Sequence, residues 1–387
     1  MKRLLLGALG AAIAGGVGTG IGWLEDPKRT AFSYLFAFAV GFTVVIGALF
    51  LLMIGHASDA RWFVAIRRLA EHIVAALPLL AVLFVPVLLS MHELYPWTRL
   101  ASLSDADREV VETKTAWLNT PFFIVRAVLY FTVFIVVAEL LRSWSLRQDR
   151  EPAAAEPLRR RMIALGAGGL PLLSVTVTLA SFDWLMSLEP TWFSNIYGVY
   201  IFAGGFVAAL GLFGMQLVLA ERNRELPPGV SVEHFSVVGR FQLGMIIFWT
   251  YIGWAQLVLL WIADLPLEVT WYVARWHGGW EWVGILLLVL HWGVPFFFLL
   301  LRGLKRRADT FFAVSAWILV VHVVDIFYLV IPAVSPGHFE VRFTDVAALV
   351  AIAGALVAFC MMRARGARAY PVSDPTLDES IRYEAAL

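Results

Sequence analysis

The chain has 387 residues, of which 60% are hydrophobic and only 15% are charged. Soluble domains are about 45–50% apolar and about 25% charged, so this composition excludes a water-soluble enzyme. The 30 Lys and Arg residues nearly balance the 29 Asp and Glu residues, which argues against a nucleic-acid-binding protein. Cys360 is the only cysteine, so the chain by itself forms no disulfide and no cysteine-ligated zinc or iron–sulfur site.

Long apolar runs predict an all-α integral membrane protein with about ten transmembrane helices, because a bilayer core requires about 20 apolar residues per helix. The runs are continuous rather than alternating, which favours helices over a barrel. The predicted spans are 4–24, 31–54, 72–90, 121–141, 161–181, 196–220, 238–262, 280–300, 311–331 and 344–362. The first span lacks an Ala-x-Ala cleavage site and is interpreted as a helix rather than a signal peptide.

The first span is rich in glycine, with Gly16-x-x-x-Gly20 and Gly18-x-x-x-Gly22 spacings. Such spacing fits either a close contact with another helix or a glycine-tolerant helix that faces lipid. Both interpretations stay open at this point.

An even number of spans places both termini on one side of the membrane. Most of the 30 Lys and Arg residues fall in loops on that side, so the positive-inside rule predicts cytoplasmic N- and C-termini. The opposite loops, 91–120, 182–195 and 263–283, are acidic or rich in tryptophan. They fit an aromatic belt at the membrane surface or a docking surface for a protein partner. The chain has no nucleotide-binding motif, so an ATP-driven transporter finds no support.

Two aspartates suggest an internal repeat. Asp183 ends the fifth span and Asp325 lies near the end of the ninth, and a proline follows each after seven residues, at Pro190 and Pro332. This spacing predicts a parallel repeat of two four-helix bundles, spans 3–6 and 7–10, with the first two spans peripheral. Chance coincidence is the alternative. The predicted segments are 1–60 for two peripheral helices, 61–225 and 226–365 for the bundles, and 366–387 for a cytoplasmic tail.

Ionisable residues inside membrane spans are costly and therefore mark candidate functional sites. His291 and His322 lie near the middle of the eighth and ninth spans, and Asp325 shares a helical face with His322. With Gln256 they form a candidate proton path, since histidine changes charge near neutral pH. Axial haem ligation by the two histidines, as in a b-type cytochrome, is one alternative. A hydrogen-bonded tether between helices is another.

A second candidate group lies at the outer ends of the spans and comprises Asp183, Arg126, His92 and Trp184. A carboxylate beside aromatic rings at the bilayer edge supplies the base and the apolar slot that quinol oxidation requires. The alternative is a helix-end aspartate that faces solvent. For the whole chain, the repeat and the midplane polar residues also fit an independent secondary transporter.

Several segments resemble one family. Residues 181–194 resemble the S-x-D-W-x-M-S-L-x-P-x-W segment of the ActF-type membrane subunit of alternative complex III. Residues 248–266, 291–297 and 325–332 resemble its seventh-, eighth- and ninth-span patterns, and the likeness extends from about residue 30 to 365. The motifs place Asp183, His291 and Asp325 at family positions. The family belongs to the wider NrfD, or polysulfide-reductase-type, membrane subunits.

The resemblance implies two four-helix bundles plus two extra helices, in a respiratory quinol:electron-acceptor oxidoreductase of the bacterial inner membrane. The implied partners are a second NrfD-like membrane subunit, an outer-face iron–sulfur protein, multihaem and monohaem cytochrome c subunits, a terminal oxidase and lipid, but no nucleic acid. No metal and no redox cofactor of its own is expected, and quinol, menaquinol in particular, is the candidate ligand. The chain is expected to contribute to the quinol-site environment, to proton conduction or to both, and not to be catalytic alone.

Overall fold

A computed structural model describes residues 2–230, 232–264 and 266–384. Within these ranges, ten helices are long and apolar enough to cross a membrane, so the predicted all-α fold with ten spans is confirmed. They are α1 (Lys2–Glu25), α2 (Pro27–Ala57), α3 (Arg67–Leu89), α4 (Thr120–Arg150), α5 (Pro152–Leu188), α6 (Tyr197–Arg222), α7 (Val232–Ala263), α8 (Trp280–Leu300), α9 (Ala308–Ala333) and α10 (Phe343–Ala364). Shorter helices outside these spans are Arg61–Val64, Met91–Leu94, Asp105–Glu112, Pro266–Val273, Arg302–Lys305 and Leu377–Ile381.

Local sequence signals set where several helices begin and where they deform. Asp26 precedes α2, and its side chain accepts a hydrogen bond from the Arg29 backbone N–H. Asn119 does the same for the Phe122 N–H at the start of α4. Such caps satisfy the free N–H groups of a first helical turn. In α8, residues 288–293 form a π-helical turn that contains His291, a deformation that is frequent at functional sites.

The helices pack as two groups of four. In the first group α2, α3, α4 and α5 pack in succession and α5 closes back on α2. In the second group α6, α7, α8 and α9 do the same, with α9 closing on α6. The groups meet where α2 crosses α6, and α1 packs against α10 outside them.

This packing differs by one helix from the predicted segments. Helix α2 was expected to be peripheral, but 94% of its apolar window is buried, as befits a helix that is apolar on all sides. Helix α10 was expected in the second bundle, but it packs on α1, α2 and α3. The boundaries 1–60, 61–225 and 226–365 therefore do not follow the packing. The reason is that the spacing of two aspartates gives only the length of a repeat. It does not show at which helix the repeat begins.

Glycines let α1 approach α10 closely. A Cβ atom on Gly22 would lie 2.3 Å from Cγ2 of Thr344, and one on Gly18 would lie 3.0 Å from Cβ of Ala347. Positions 16 and 20, in contrast, have nothing within 4 Å. Of the two glycine spacings in the sequence, 18–22 therefore faces the neighbouring helix and 16–20 faces outward.

The segment after α10 folds back over the helix ends on the side where the described chain begins and ends, which we call the basic face. Nη1 of Arg67 donates to Oδ2 of Asp374 at 2.5 Å, and Oγ of Ser380 accepts from the Ala65 N–H at 2.9 Å. Burial by itself raises the pKa of Asp374, but the Arg67 charge and hydrogen bonds from Thr376 outweigh it and hold the pKa below its usual 3.8.

We expect the Gly15→Ala substitution to destabilise the protein by about 1–3 kcal/mol, because the new Cβ overlaps backbone and helices must separate. That atom would lie 2.4 Å from the backbone N of Ala351. The matched control is Gly16→Ala, where open space predicts no loss and a gain of up to about 1 kcal/mol in helix propensity. Thermal unfolding of both variants in one detergent measures the difference, and equal unfolding temperatures would contradict the close contact.

The Asp374→Asn substitution should release the C-terminal segment. Because the folded pKa is lowered, the Asp374 anion stabilises docking above pH 3.8 and loses this effect as the pH falls through the folded pKa. At neutral pH, trypsin should therefore cleave after Arg368 and Arg382 faster in this variant than in the wild type. Asp378→Asn alters an exposed neighbour and serves as the control, for which the cleavage rate should not change.

Candidate functional site

The first buried polar cluster surrounds Asp183 near the end of α5. Arg126 of α4 donates from Nε to Oδ2 at 2.7 Å and from Nη2 to Oδ1 at 2.9 Å. The Trp117 indole donates to Oδ1 at 2.8 Å, and the Tyr130 hydroxyl donates to Oδ2 at 2.8 Å. Asp183 is 1% exposed and Arg126 is 4% exposed, so this is a fully enclosed ion pair and not a solvent-facing helix end.

The hydrogen bonds of this cluster define what Asp183 can do. A carboxylate offers about four acceptor positions, and four protein donors occupy them here. The Arg126 guanidinium neutralises the charge and stacks on Trp117, with its carbon 4.1 Å from the ring centroid. Protein donors therefore occupy the acceptor positions of the Asp183 carboxylate, which offers none to an incoming ligand. Its influence on a nearby ligand passes through the groups that it orients.

An apolar slot of about 400 Å³ lies directly beside this cluster. Its walls include Phe182, Leu179 and Phe193, and its polar groups come from Lys114, Trp117 and Ser187. Two of these touch the aspartate: the Trp117 indole donates to the carboxylate, and the Ser187 hydroxyl donates to the Asp183 carbonyl at 2.5 Å. Burial lowers the pKa of Lys114, whose ammonium donates to the Pro190 carbonyl at 2.6 Å.

The other two residues predicted for this group lie elsewhere. His92 is exposed at the end of the third span and is not among the four donors to Asp183. Trp184 is buried against the rings of Phe42, Phe84 and Phe131, with centroid distances of 4.9, 4.5 and 5.3 Å. It does not line the slot. The structure thus unites Asp183 with Arg126 and gives Trp184 a packing role in the first group of helices.

The second cluster lies in the membrane interior between α2, α6 and α9. The Thr43 hydroxyl donates to the Ala39 carbonyl and lies 2.8 Å from Nε2 of His322. This contact is compatible with either tautomer of His322. In the tautomer whose Nε2 donates to Thr43, Nδ1 carries a lone pair. Nδ1 lies 3.8 Å from Oδ2 of Asp325, and the Tyr200 hydroxyl donates to Oδ1 at 2.7 Å.

His291 completes this cluster from the π-helical turn of α8. Its ring centroid is 6.3 Å from that of His322 and 4.2 Å from that of Trp249. His291, His322 and Asp325 are each 1% exposed or less. Within the part of the chain that the structure describes, neither ring nitrogen of His291 has a hydrogen-bond partner. The predicted proximity of the two histidines and Asp325 is therefore present in the structure.

The cluster is tightly packed on the sides that face α6 and α7. The Trp249 ring lies against His291, and Gly204 of α6 opposes the cluster. A Cβ atom on Gly204 would lie 3.2 Å from Oδ2 of Asp325 and 3.4 Å from Cε1 of His322. A methyl group would already be crowded at this position of α6, so the helices are closely packed on this side of the cluster.

Further buried polar groups extend from this cluster towards the basic face. Nε2 of Gln242 donates to Oγ of Ser315 at 2.9 Å and to the Leu210 carbonyl at 3.0 Å. Ser315 precedes His322 by seven residues on α9, so both side chains lie on one helical face. Gln256 lies apart from this series, near the opposite face, where its Oε1 accepts from the Ser194 hydroxyl at 2.8 Å.

Several partners were not singled out from the sequence. Thr43, Tyr200 and Trp249 lie on three different helices, and threonine, tyrosine and tryptophan are ordinary residues of apolar spans. Arg275 is another: its guanidinium is buried against the Trp271 ring and donates to Glu189 at 2.7 Å. In the sequence, only the charge of Arg275 within an aromatic loop could have indicated that this residue forms a buried ion pair.

No family model and no curated protein matches this chain. The comparisons thus identify no family, and the fold defines the class: a multi-pass, all-helical membrane protein with ten candidate spans.

The Asp183→Asn substitution should destabilise the protein by about 3–5 kcal/mol, because it leaves the buried Arg126 guanidinium without its anion. The double variant Asp183→Leu with Arg126→Met should recover much of this loss by removing both charges. Thermal unfolding of the single and double variants measures the coupling. Glu151→Gln, which removes the exposed partner of Arg147, is the control and should have no measurable effect. An unchanged unfolding temperature for Asp183→Asn would contradict the role assigned to the ion pair.

Proposed function

We propose that this chain is a proton-conducting membrane subunit of a respiratory quinol:electron-acceptor oxidoreductase, oriented with its basic face in the cytoplasm of a bacterial inner membrane. The observation that carries the proposal is the buried cluster of His322, Asp325 and His291. An ionisable group in the membrane interior is costly to keep. A function in proton transfer best explains why three ionisable groups lie together here.

The two aspartate clusters differ in a way that supports this assignment. Asp183 is neutralised by an arginine, whereas no arginine or lysine pairs with Asp325 among the ion pairs described. Its polar neighbours are the Tyr200 hydroxyl, the Trp249 indole and His322. Histidine and carboxylic acid both gain and lose protons readily. Asp325 can therefore hand a proton to the Nδ1 lone pair of His322, through a short shift or one water molecule across 3.8 Å.

Further polar groups extend this exchange towards the basic face. Ser315 and Gln242 lie on that side of His322 and share a hydrogen bond. On the other side, the Tyr200 hydroxyl can relay a proton from Asp325 by rotating. Water molecules would complete the connection between these groups, as in other intramembrane relays.

The slot beside Asp183 supports the quinol part of the proposal. It is apolar enough for a quinone ring and presents polar groups from Trp117, Ser187 and Lys114. The quinol head group would contact these groups, while the fixed Asp183–Arg126 pair sets the electrostatic field behind them. Electrons would leave through cofactor-bearing partners on the opposite face, and a second NrfD-like subunit would lie alongside.

The proton path is tested by Asp325→Asn and His322→Ala in the assembled complex, reconstituted in vesicles. Proton uptake coupled to quinol turnover should fall by about 10²-fold, the usual effect of losing a proton-transfer group. Asp325→Glu should retain part of it. Asp309→Asn, at the exposed start of the same helix, should behave as wild type. If both test variants left quinol turnover and proton uptake unchanged, the path would be wrong.

The slot is tested separately by Leu179→Trp, which fills it. This variant should raise the KM for quinol, while Leu172→Trp, seven residues earlier on the exposed side of α5, should not. Purification distinguishes the remaining alternatives: a chain that isolates without cytochrome c partners favours a secondary transporter, and a Soret band from the isolated chain would favour a b-type cytochrome.

A further inference from the structure

A cavity of about 530 Å³ lies at a place where two successive helices do not pack closely on each other. Helix α9 forms one wall and α10 the other, with α2 and α6 behind them. Val320 of α9 and Val357 of α10 both line it and are 62% and 45% exposed. The cavity therefore opens sideways, in the direction where a membrane-spanning protein meets lipid.

The cavity is almost wholly apolar, but two buried polar atoms in its lining residues have no hydrogen-bond partner among the residues that the structure describes. They are Nε2 of His72, near the start of α3, and Oε1 of Gln216, near the end of α6. Both residues lie towards the basic face. Because a buried polar atom without a hydrogen bond is costly, these atoms favour a ligand that carries polar groups at this level and an apolar chain beyond it.

The rim of the cavity at the basic face is cationic. Lys2 and Arg3 are exposed and directly precede Leu4, which lines the cavity. The Arg142 guanidinium donates to the Arg363 carbonyl at 2.6 Å, next to the lining residue Ala364. Arg363 is paired with Glu139, but among the described residues no carboxylate forms an ion pair with Arg142. One guanidinium at the rim is therefore left to neutralise an anion.

We propose that an anionic phospholipid occupies this cavity. An acyl chain fills the apolar groove between α9 and α10, ester oxygens approach His72 and Gln216, and the phosphate pairs with Arg142. Basic pockets between helices on the cytoplasmic side bind anionic head groups in this manner. A zwitterionic lipid or a quinone has a similar apolar part but no net negative charge, so the cationic rim selects the anionic lipid.

The full chain, purified in detergent, is incubated with phosphatidylglycerol or phosphatidylcholine of identical acyl chains, and retained lipid is counted by native mass spectrometry. Wild type should retain phosphatidylglycerol about fivefold better or more, the preference expected from one arginine at the head group. Arg142→Gln should lower retention to the phosphatidylcholine level. Arg147→Gln, on the same helix but exposed and paired with Glu151, should retain phosphatidylglycerol as wild type does.

Ala353→Trp, which fills the groove without changing the rim charge, should abolish retention of both lipids at this site. Equal retention of the two lipids by wild type would overturn the proposal, and this comparison needs no variant to fold. Undiminished phosphatidylglycerol binding by a folded Arg142→Gln protein would also overturn it. Displacement of phosphatidylglycerol by an equimolar naphthoquinone would assign the cavity to a quinone instead.

Discussion

The enclosure of α2 is the constraint on which the remaining structure depends. This helix contacts both groups of four helices and also α10. It crosses α6 so closely that a Cβ atom on Gly47 would lie 2.2 Å from the Gly205 carbonyl oxygen. At one end Arg29 forms a bidentate ion pair with Asp345 of α10, at 2.7 and 2.6 Å. At mid-height its Thr43 fixes the orientation of His322. A shift of α2 would disturb all of these contacts at once.

The two groups of helices use a corresponding aspartate in contrasting ways. Asp183 and Asp325 each lie near the end of the fourth helix of their group. Arginine, tryptophan and tyrosine donors occupy the acceptor positions of the first, which borders the wall of a slot. The second lies beside the Tyr200 hydroxyl, the Trp249 indole and the His322 ring and has no arginine or lysine partner among the ion pairs described. In the proposed function, the same side chain provides a fixed field in one group and an exchangeable proton in the other.

The sequence was informative where the physics is local. Bilayer thickness and backbone hydrogen bonding dictate ten helices, and the costs of intramembrane charge single out Asp183, Arg126, His322 and Asp325. His291 and His322 were correctly placed at similar depth, since helical rise converts residue number into depth. The grouping of helices was less predictable, because apolar runs of similar length do not indicate which helices pack against each other. Helix α2 and the peripheral α10 illustrate this: both are apolar, yet one is enclosed and the other lies at the edge.

Hydrogen-bond partners were the least predictable feature. Thr43, Tyr200 and Trp117 are more than 50 residues away in sequence from the His322, Asp325 and Asp183 side chains with which they form hydrogen bonds. Burying an uncharged residue in a membrane span costs less than burying a charge, so the sequence does not mark these three positions. By itself the sequence determined the class of protein, the number and depth of the helices and the positions of the costly charges, because these follow from transfer between water and lipid. Only the tertiary structure decided which of these charges are paired with an opposite charge, because pairing depends on atoms that distant helices bring within about 3 Å.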